Sequence, residues 1–483
     1  MQQNRAGEQK LFNLFGLFSL FLLFANILFA GSFENFKELQ SESFLHYKDE
    51  KDNAFNAYLK AQWQEYQAYI SPSFYHKQKP EYLLSLHQKQ IPSVGPIVKI
   101  LQQKKKRAIQ KETYENNVSK GITFTFFGTR VGFIKDKTIQ NAKYYPQNQA
   151  GIANFFSILA ASDYDKTINQ LKHYKKNLHL NDWALYLLVH ELTEKNFNDR
   201  NEANIYAWFL LSKLHFDVKI ALNERKNIYL LYYTQNTIYA APRYNFSSKN
   251  YYILSKYNLQ DIKKIYTYTQ TYPQSTKPLD FSLMTLPKFN DEFVFKRRTF
   301  KEFGKNYIFS YKYNKNITDF MRTYPQIDYD VYFKAPMEDI TYEALVESIK
   351  KYTDGKKMSE ALNIVLHFVQ KAFKYETDQD QFGHEKIMFA AETLAYDASD
   401  CEDRAILFAY LVKHIFGISV VGVKYSDHMS TALYIPMQGD SLIVNRRRYV
   451  VADPTYINAN IGQRIPKYKN IRPDAFIYMD SSH

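Results

Sequence analysis

Ala398-Ser399-Asp400-Cys401-Glu402-Asp403-Arg404-Ala405-Ile406-Leu407 carries the only cysteine in a chain of 483 residues. Ser399 and Glu402 stand three apart, the spacing of a capping box, and the apolar run Ile406, Leu407, Ala409, Tyr410 and Val412 predicts a helix buried along much of its length. Cys401 then falls in the first turn. There the unpaired backbone N–H groups and the positive end of the helix dipole favour a thiolate. Glu402 and Asp403 oppose it by like-charge repulsion, so a thiolate at this place needs a base nearby.

Two downstream residues are placed to supply that base and its orienter. Ile418 to Tyr425 is β-branched and predicts a strand; Ser426 to Ile435 opens a second strand with His428 at its head. A third strand, Arg448 to Ala452, delivers Asp453 ahead of the turn-forming Pro454. In such a meander the helix start faces adjacent strand ends, which brings thiol, imidazole and carboxylate to one edge, the set that nucleophilic catalysis requires. A lone cysteine is usually a small buried hydrophobe, and a lone histidine a satisfied one. The ordered set carries the reading.

Asp400-Cys401-Glu402-Asp403 ahead of an apolar helix, then Asp427-His428-Met429, then Asp453-Pro454-Thr455-Tyr456, resemble the Cys, His and Asp blocks of bacterial transglutaminase-like cysteine peptidases. Phe368 to Tyr375, Thr377-Asp378 and Glu392-Thr393-Leu394 are similar to the segment that precedes the cysteine block, so the resemblance spans roughly residues 355–460. It implies an α+β fold with a papain/transglutaminase-like catalytic domain over 341–483. It also implies Cys401 as nucleophile, His428 as general base and acid, and Asp453 as the residue that orients His428. One oxyanion donor would be the backbone N–H of Cys401, with Gln370 or Gln381 as candidates for the second.

The chain opens with Arg5 and Lys10 ahead of the apolar run Leu11 to Ala30. This reads as a secretory signal over 1–31, either cleaved near Ala30 or retained as an inner-membrane anchor, and it places the remainder in the periplasm or outside the cell. No cysteine lies near it, which argues against a lipoprotein. An amphipathic helix is expected over 32–75, since Phe44, Tyr47, Phe55, Tyr58, Leu59, Trp63, Tyr66 and Ile70 recur at three and four residues. A basic linker, 76–120, follows with Lys104-Lys105-Lys106-Arg107. The next unit, 121–250, reads as α/β, with a strand at Ile122 to Val131, helices at Ile152–Ala161, Tyr164–Lys176 and Trp183–Lys195, and a further helix from Asn201.

Shifted by 200 positions, that last helix overlays the cysteine helix, with Glu202 on Glu402, Leu211 on Leu411, Lys213 on Lys413 and Phe216 on Phe416. Strands follow both. The overlay predicts a degenerate internal copy, with Asn201 where Cys401 stands and Ile228 where His428 stands, unable to do thiol chemistry. Residues 251–340 read as a β-rich insertion or small sandwich, and helices at Thr341 to Tyr352 and Met358 to Tyr375 lead into the catalytic domain.

With 45% hydrophobic and 17% aromatic residues, the chain can bury substantial cores. One cysteine excludes an intramolecular disulfide. The net charge of +14 comes without a nucleic-acid fold signature and reads as a solvated surface rather than a nucleic-acid site. No phosphate-cradling glycine motif and no His/Cys cluster calls for a cofactor or metal, and the acidic stretch Asp378, Asp380, His384 and Glu385 reads as a solvated loop before a calcium loop. The expected activity is hydrolysis of a peptide or isopeptide amide, cell-wall peptide included, with membrane contact only through the N-terminal segment. A crosslinking transamidase and a non-catalytic envelope scaffold are the alternatives.

Overall fold

A computed structural model of the chain describes residues 50–60, 64–70, 80–83, 91–100, 121–254, 262 and 264–479. The apolar stretch Leu11 to Ala30 and the cluster Lys104 to Arg107 lie outside them. Among the described residues no helix is long and apolar enough to cross a membrane. Residues 50–59 form a helix, α1, in which Phe55 stacks on Tyr58 at 5.9 Å between ring centroids.

The helix expected over 32–75 does not continue past α1. Gln64–Gln67 (β1) and Tyr69–Ile70 (β2) are strands. Tyr66 meets Phe246 edge-on at 4.5 Å, and pairing with β9 and β7 supplies the backbone partners of β1 and β2. The segment taken as a linker is not a bare spacer either. Leu83 N donates to Ile457 O at 2.9 Å, and Val98 and Ile100 are buried against Ala361.

The fold is α+β, and from Ile122 onward it runs through two similar series of elements. The first opens on the hairpin Ile122–Phe126 (β3) and Thr129–Phe133 (β4). Helices Gln149–Ala160 (α2), Tyr164–Asn177 (α3), Asp182–Asn196 (α4) and Arg200–Lys213 (α5) follow. Five strands complete this first lobe: Val218–Leu222 (β5), Ile228–Tyr233 (β6), Pro242–Phe246 (β7), Lys249–Ile253 (β8) and Lys264–Thr267 (β9). They pair in the order β1-β9-β5-β6-β8-β7-β2. β1 and β2 are separated by a single residue yet pair at opposite ends of that order, so the sheet closes on itself into a barrel.

The second lobe opens on the longer hairpin Phe293–Glu302 (β10) and Lys305–Asn314 (β11). Helices Lys315–Met321 (α6), Tyr329–Lys334 (α7), Asp339–Thr353 (α8) and Met358–Lys371 (α9) lead to the short strand Lys374–Tyr375 (β12). Then come Asp378–Phe382 (α10), Ala390–Ala395 (α11), Ala398–Ser399 (β13) and Cys401–Phe416 (α12). Its five strands are Val420–Lys424 (β14), Met429–Leu433 (β15), Ser441–Val444 (β16), Arg447–Ala452 (β17) and Ala475–Tyr478 (β18). They pair as β16-β17-β15-β14-β18. Element for element this repeats the order of β5 to β9, but the second sheet stays open.

Residues 251–340 therefore form no separate sandwich. Residue 250 falls inside β8, β9 belongs to the first sheet, and β10–β11 is a hairpin that packs on α8 and α11. The many aromatic residues that suggested a sandwich serve two different cores; Phe309, for example, lies 4.3 Å from Phe368 of α9.

Helix α12 ends as its composition dictates. Gly417 takes φ +66° at the C-cap, and its N–H donates to Lys413 O at 3.0 Å. Ala405 to Val412 are buried between α9, α11 and the inner face of the sheet. On the sheet, a side chain at Gly422 would meet Phe333 of α7 at 2.6 Å, so the close approach of α7 to β14 requires glycine there.

Candidate active site

Cys401 opens α12, His428 lies between β14 and β15, and Asp453 directly follows β17. Asp400, not Ser399, is the N-cap, and the Asp403 carboxylate accepts its N–H at 3.4 Å. Ser399 lies on β13, where its hydroxyl accepts from Arg404 Nε at 3.1 Å. Cys401 is thus the first helical residue. His428 sits between the turn and β15, with its carbonyl accepting from Tyr425 N at 2.8 Å. Its Nε2 lies 2.8 Å from Asp453 Oδ2. A carboxylate only accepts, so Nε2 carries the proton and Nδ1 is left as the basic nitrogen.

Asp453 is itself held. Its Oδ1 accepts from Thr455 N at 2.9 Å and from Tyr456 N at 3.2 Å, the Asx-turn geometry that Pro454 favours. Tyr468 stacks on His428 at 4.9 Å, and its hydroxyl donates to Asp427 at 2.9 Å. Burial and Asp427 hold the Tyr468 phenol well above its ordinary pKa, with Cys401 and Asp453 acting on it through space. Tyr468 thus both stacks on His428 and feels the charges of Cys401 and Asp453. All three are buried: Cys401 is 1% exposed, His428 5% and Asp453 2%.

The surroundings of the thiol are acidic. Cys401 Sγ donates to Glu402 Oε2 at 3.2 Å, the geometry of a neutral thiol. Carboxylate oxygens of Asp378, Asp400 and Asp403 lie within 4.8 Å of one another, as do those of Asp378, Glu385 and Glu402. Asp378 is not in a solvated loop: it is buried and accepts from Lys386 N at 2.8 Å, whereas Asp380 and His384 are exposed. Oxygen-only donors at this density have the chemistry that suits a hard divalent cation. Arg404 is the cation built into the same helix turn. It donates to Gln370 O at 3.1 Å and Phe373 O at 2.9 Å, capping the end of α9, and burial lowers its pKa to about 10 against the opposing pull of Tyr375, Asp400 and Asp403.

Gln370 does not face this chemistry. Its Nε2 donates to Asp453 O at 2.9 Å and Ala459 O at 3.1 Å, so its donors are committed to backbone carbonyls and not to an oxyanion. Arg404, Tyr468 and Gln370 went unassigned in these roles from sequence. Only Arg404 had a signal, a basic residue directly after three acids at the start of an apolar helix.

At the matching place of the first lobe, Asp199 caps α5, so the residue that occupies the position of Cys401 is Arg200 and not Asn201. Asn227, which directly precedes β6, occupies the position of His428, and Leu254, after β8, that of Asp453. The overlay by 200 was one residue out because it followed the Glu202/Glu402 identity. The capping pattern pairs Glu202 with Asp403 instead: each is the third helical residue, and each accepts a distant backbone N–H, from Tyr144 at 3.3 Å and from Met388 at 2.8 Å. Arg200 lies over the ring of Tyr229, and Asn201 bridges helix and strand by accepting from Ile228 N at 2.8 Å. An open cavity of about 460 Å³ lies at this end of the first sheet, against Asn148, Asn223, Lys226 and Tyr266. No family model, curated protein or solved structure matches the chain.

Proposed function

We propose that the chain is an exported transglutaminase-like cysteine hydrolase acting on a peptide or isopeptide amide. The second lobe is the catalytic unit and the first a degenerate copy of it. Cys401 attacks the carbonyl carbon and its proton passes to His428 Nδ1. The same proton then goes to the leaving amine as the C–N bond breaks. Water, deprotonated by His428, adds to the thioester and releases the acid and the thiol. Asp453 fixes the tautomer and stabilises the imidazolium. The observation that supports this best is the 2.8 Å bond from His428 Nε2 to Asp453 Oδ2 beside a helix that begins with Cys401.

A non-catalytic binding protein is the second reading, favoured by the burial of Cys401 and its bond to Glu402. An iodoacetamide-based probe separates the two. Labelling of Cys401 at neutral pH that is lost in His428→Ala fits the hydrolase. Equal labelling in both proteins, at the rate of an ordinary thiol, would sink it.

A further inference from the structure

One face of α9 grips the loop that follows Asp453. Asn363 Oδ1 accepts from Ile461 N at 2.8 Å, and Gln370 Oε1 accepts from Asn458 N at 3.1 Å. Gln370 Nε2 donates to the carbonyls of both Asp453 and Ala459. His367, one turn earlier, shares the Ala459 carbonyl: its Nε2 lies 3.2 Å from Ala459 O, and its Nδ1 lies 2.6 Å from Glu302 Oε2. Both atoms facing the ring are acceptors. Nε2 supplies a proton to the Ala459 carbonyl, and the contact at Nδ1 needs one proton shared between the imidazole and the Glu302 carboxyl.

Glu302, at the end of β10, also accepts from Lys371 Nζ at 2.7 Å. Burial raises its carboxyl, but His367 and Lys371 outweigh it and hold the pKa below the ordinary value. Tyr307, raised by burial and by Glu302, Tyr352 and Glu360, lies on this side too, and Arg404 bonds the Gln370 carbonyl from α12. The network thus runs from the β10–β11 hairpin through α9 to the backbone of the residue that orients His428.

We propose that Gln370 and His367 are positioning residues for Asp453, setting the carboxylate behind His428 without touching substrate. The inference rests on the hydrolase reading. Its physical basis is that Asp453 is fixed at three points: Oδ1 by the turn, Oδ2 by His428, and the carbonyl by Gln370 Nε2 at 2.9 Å with Tyr456 N at 3.3 Å. Removing Gln370 leaves that carbonyl only the longer bond from within its own turn and lets the loop shift, and a hydrogen bond weakens steeply as its geometry opens.

The test measures the pH profile of Cys401 alkylation by iodoacetamide, together with the thermal midpoint, on the full chain. Asp453→Asn serves as reference and is expected to move the thiol inflection upward. Gln370→Met moves it in the same direction, with about a tenfold slower reaction at pH 7, short of the ~10²-fold that a 1 Å misplacement can cost. His367→Gln keeps a donor for Ala459 and gives a smaller shift of the same sign, and it decides the matter alone if Gln370→Met does not fold. A lowered midpoint with an unmoved inflection, while Asp453→Asn still shifts it, overturns the positioning role and leaves the hydrolase reading intact. An unmoved inflection in Asp453→Asn itself removes both.

Discussion

The two lobes share one strand order and differ at the helix start that faces it. In the first, Asn201 ties α5 to the head of β6, and Asn204 donates to Ile228 O at 2.8 Å, so both amides serve the backbone. In the second, the same turn carries Cys401, Glu402 and Asp403, with Asp378 and Glu385 brought in from α10 and the segment after it. The first lobe ties helix to strand with neutral amides, whereas the second gathers buried carboxylates around its thiol, and that charge must be balanced within the fold.

The sharpest way to break this contrast is to remove the balancing cation. Arg404→Met strips a buried guanidinium from three acceptors and should destabilise the second lobe by about 3–5 kcal/mol, since it leaves the buried acids uncompensated; urea denaturation reads it, and a change below 1 kcal/mol would mean the acids are compensated some other way. The first lobe has buried Ala203 at that helix position and relies on no such charge.

Next in size is the acid beside the thiol. Glu402→Gln removes the negative charge and leaves only a neutral amide oxygen as acceptor for the thiol. Its thiol inflection should fall by about one pH unit, which is roughly a tenfold faster alkylation below the inflection. A rise instead would show that Glu402 assists the thiolate.

Acid should expose the same asymmetry. The Glu302 pKa is held below its ordinary value of 4.5, so the stability it contributes is complete above 4.5 and fades as pH falls through the lower folded value. Glu302→Gln should therefore lower the urea midpoint at pH 7, and the difference from the parent should shrink as pH falls below 4.5. The smallest effect is expected in the first lobe, where Asn201→Ala should cost about 1–2 kcal/mol without altering Cys401 labelling.

The strands that carry the candidate site were legible because β-branched runs and turn residues bound them: β14, β15 and β17 begin within three residues of their expected starts, and His428 and Asp453 fall beside their ends as the pattern required. The helix start was legible to within one residue. Asp400 and Ser399 are both good caps, and only the tertiary bond from Arg404 to Ser399 decides between them. Periodicity failed at Tyr66 and Ile70, where partners in strands far along the chain override a helical pattern. The acidic cluster and the grip of Gln370 were hidden for a similar reason. Asp378, Glu385 and Asp403 meet only through folding, and nothing local distinguishes a glutamine that holds a loop from one that faces water.

The seam of the first barrel sets an order of events. Gln64 faces Thr267 and Tyr69 faces Arg243, so the earliest described strands find partners only after the whole first helical layer has emerged, β2 after β5 and β6, and β1 after β5 to β8. Until then the unclosed rims of that sheet offer backbone groups to any neighbouring chain. A protein cut after residue 70 would keep both rims bare for good, and its fate should be self-association rather than a smaller soluble fold.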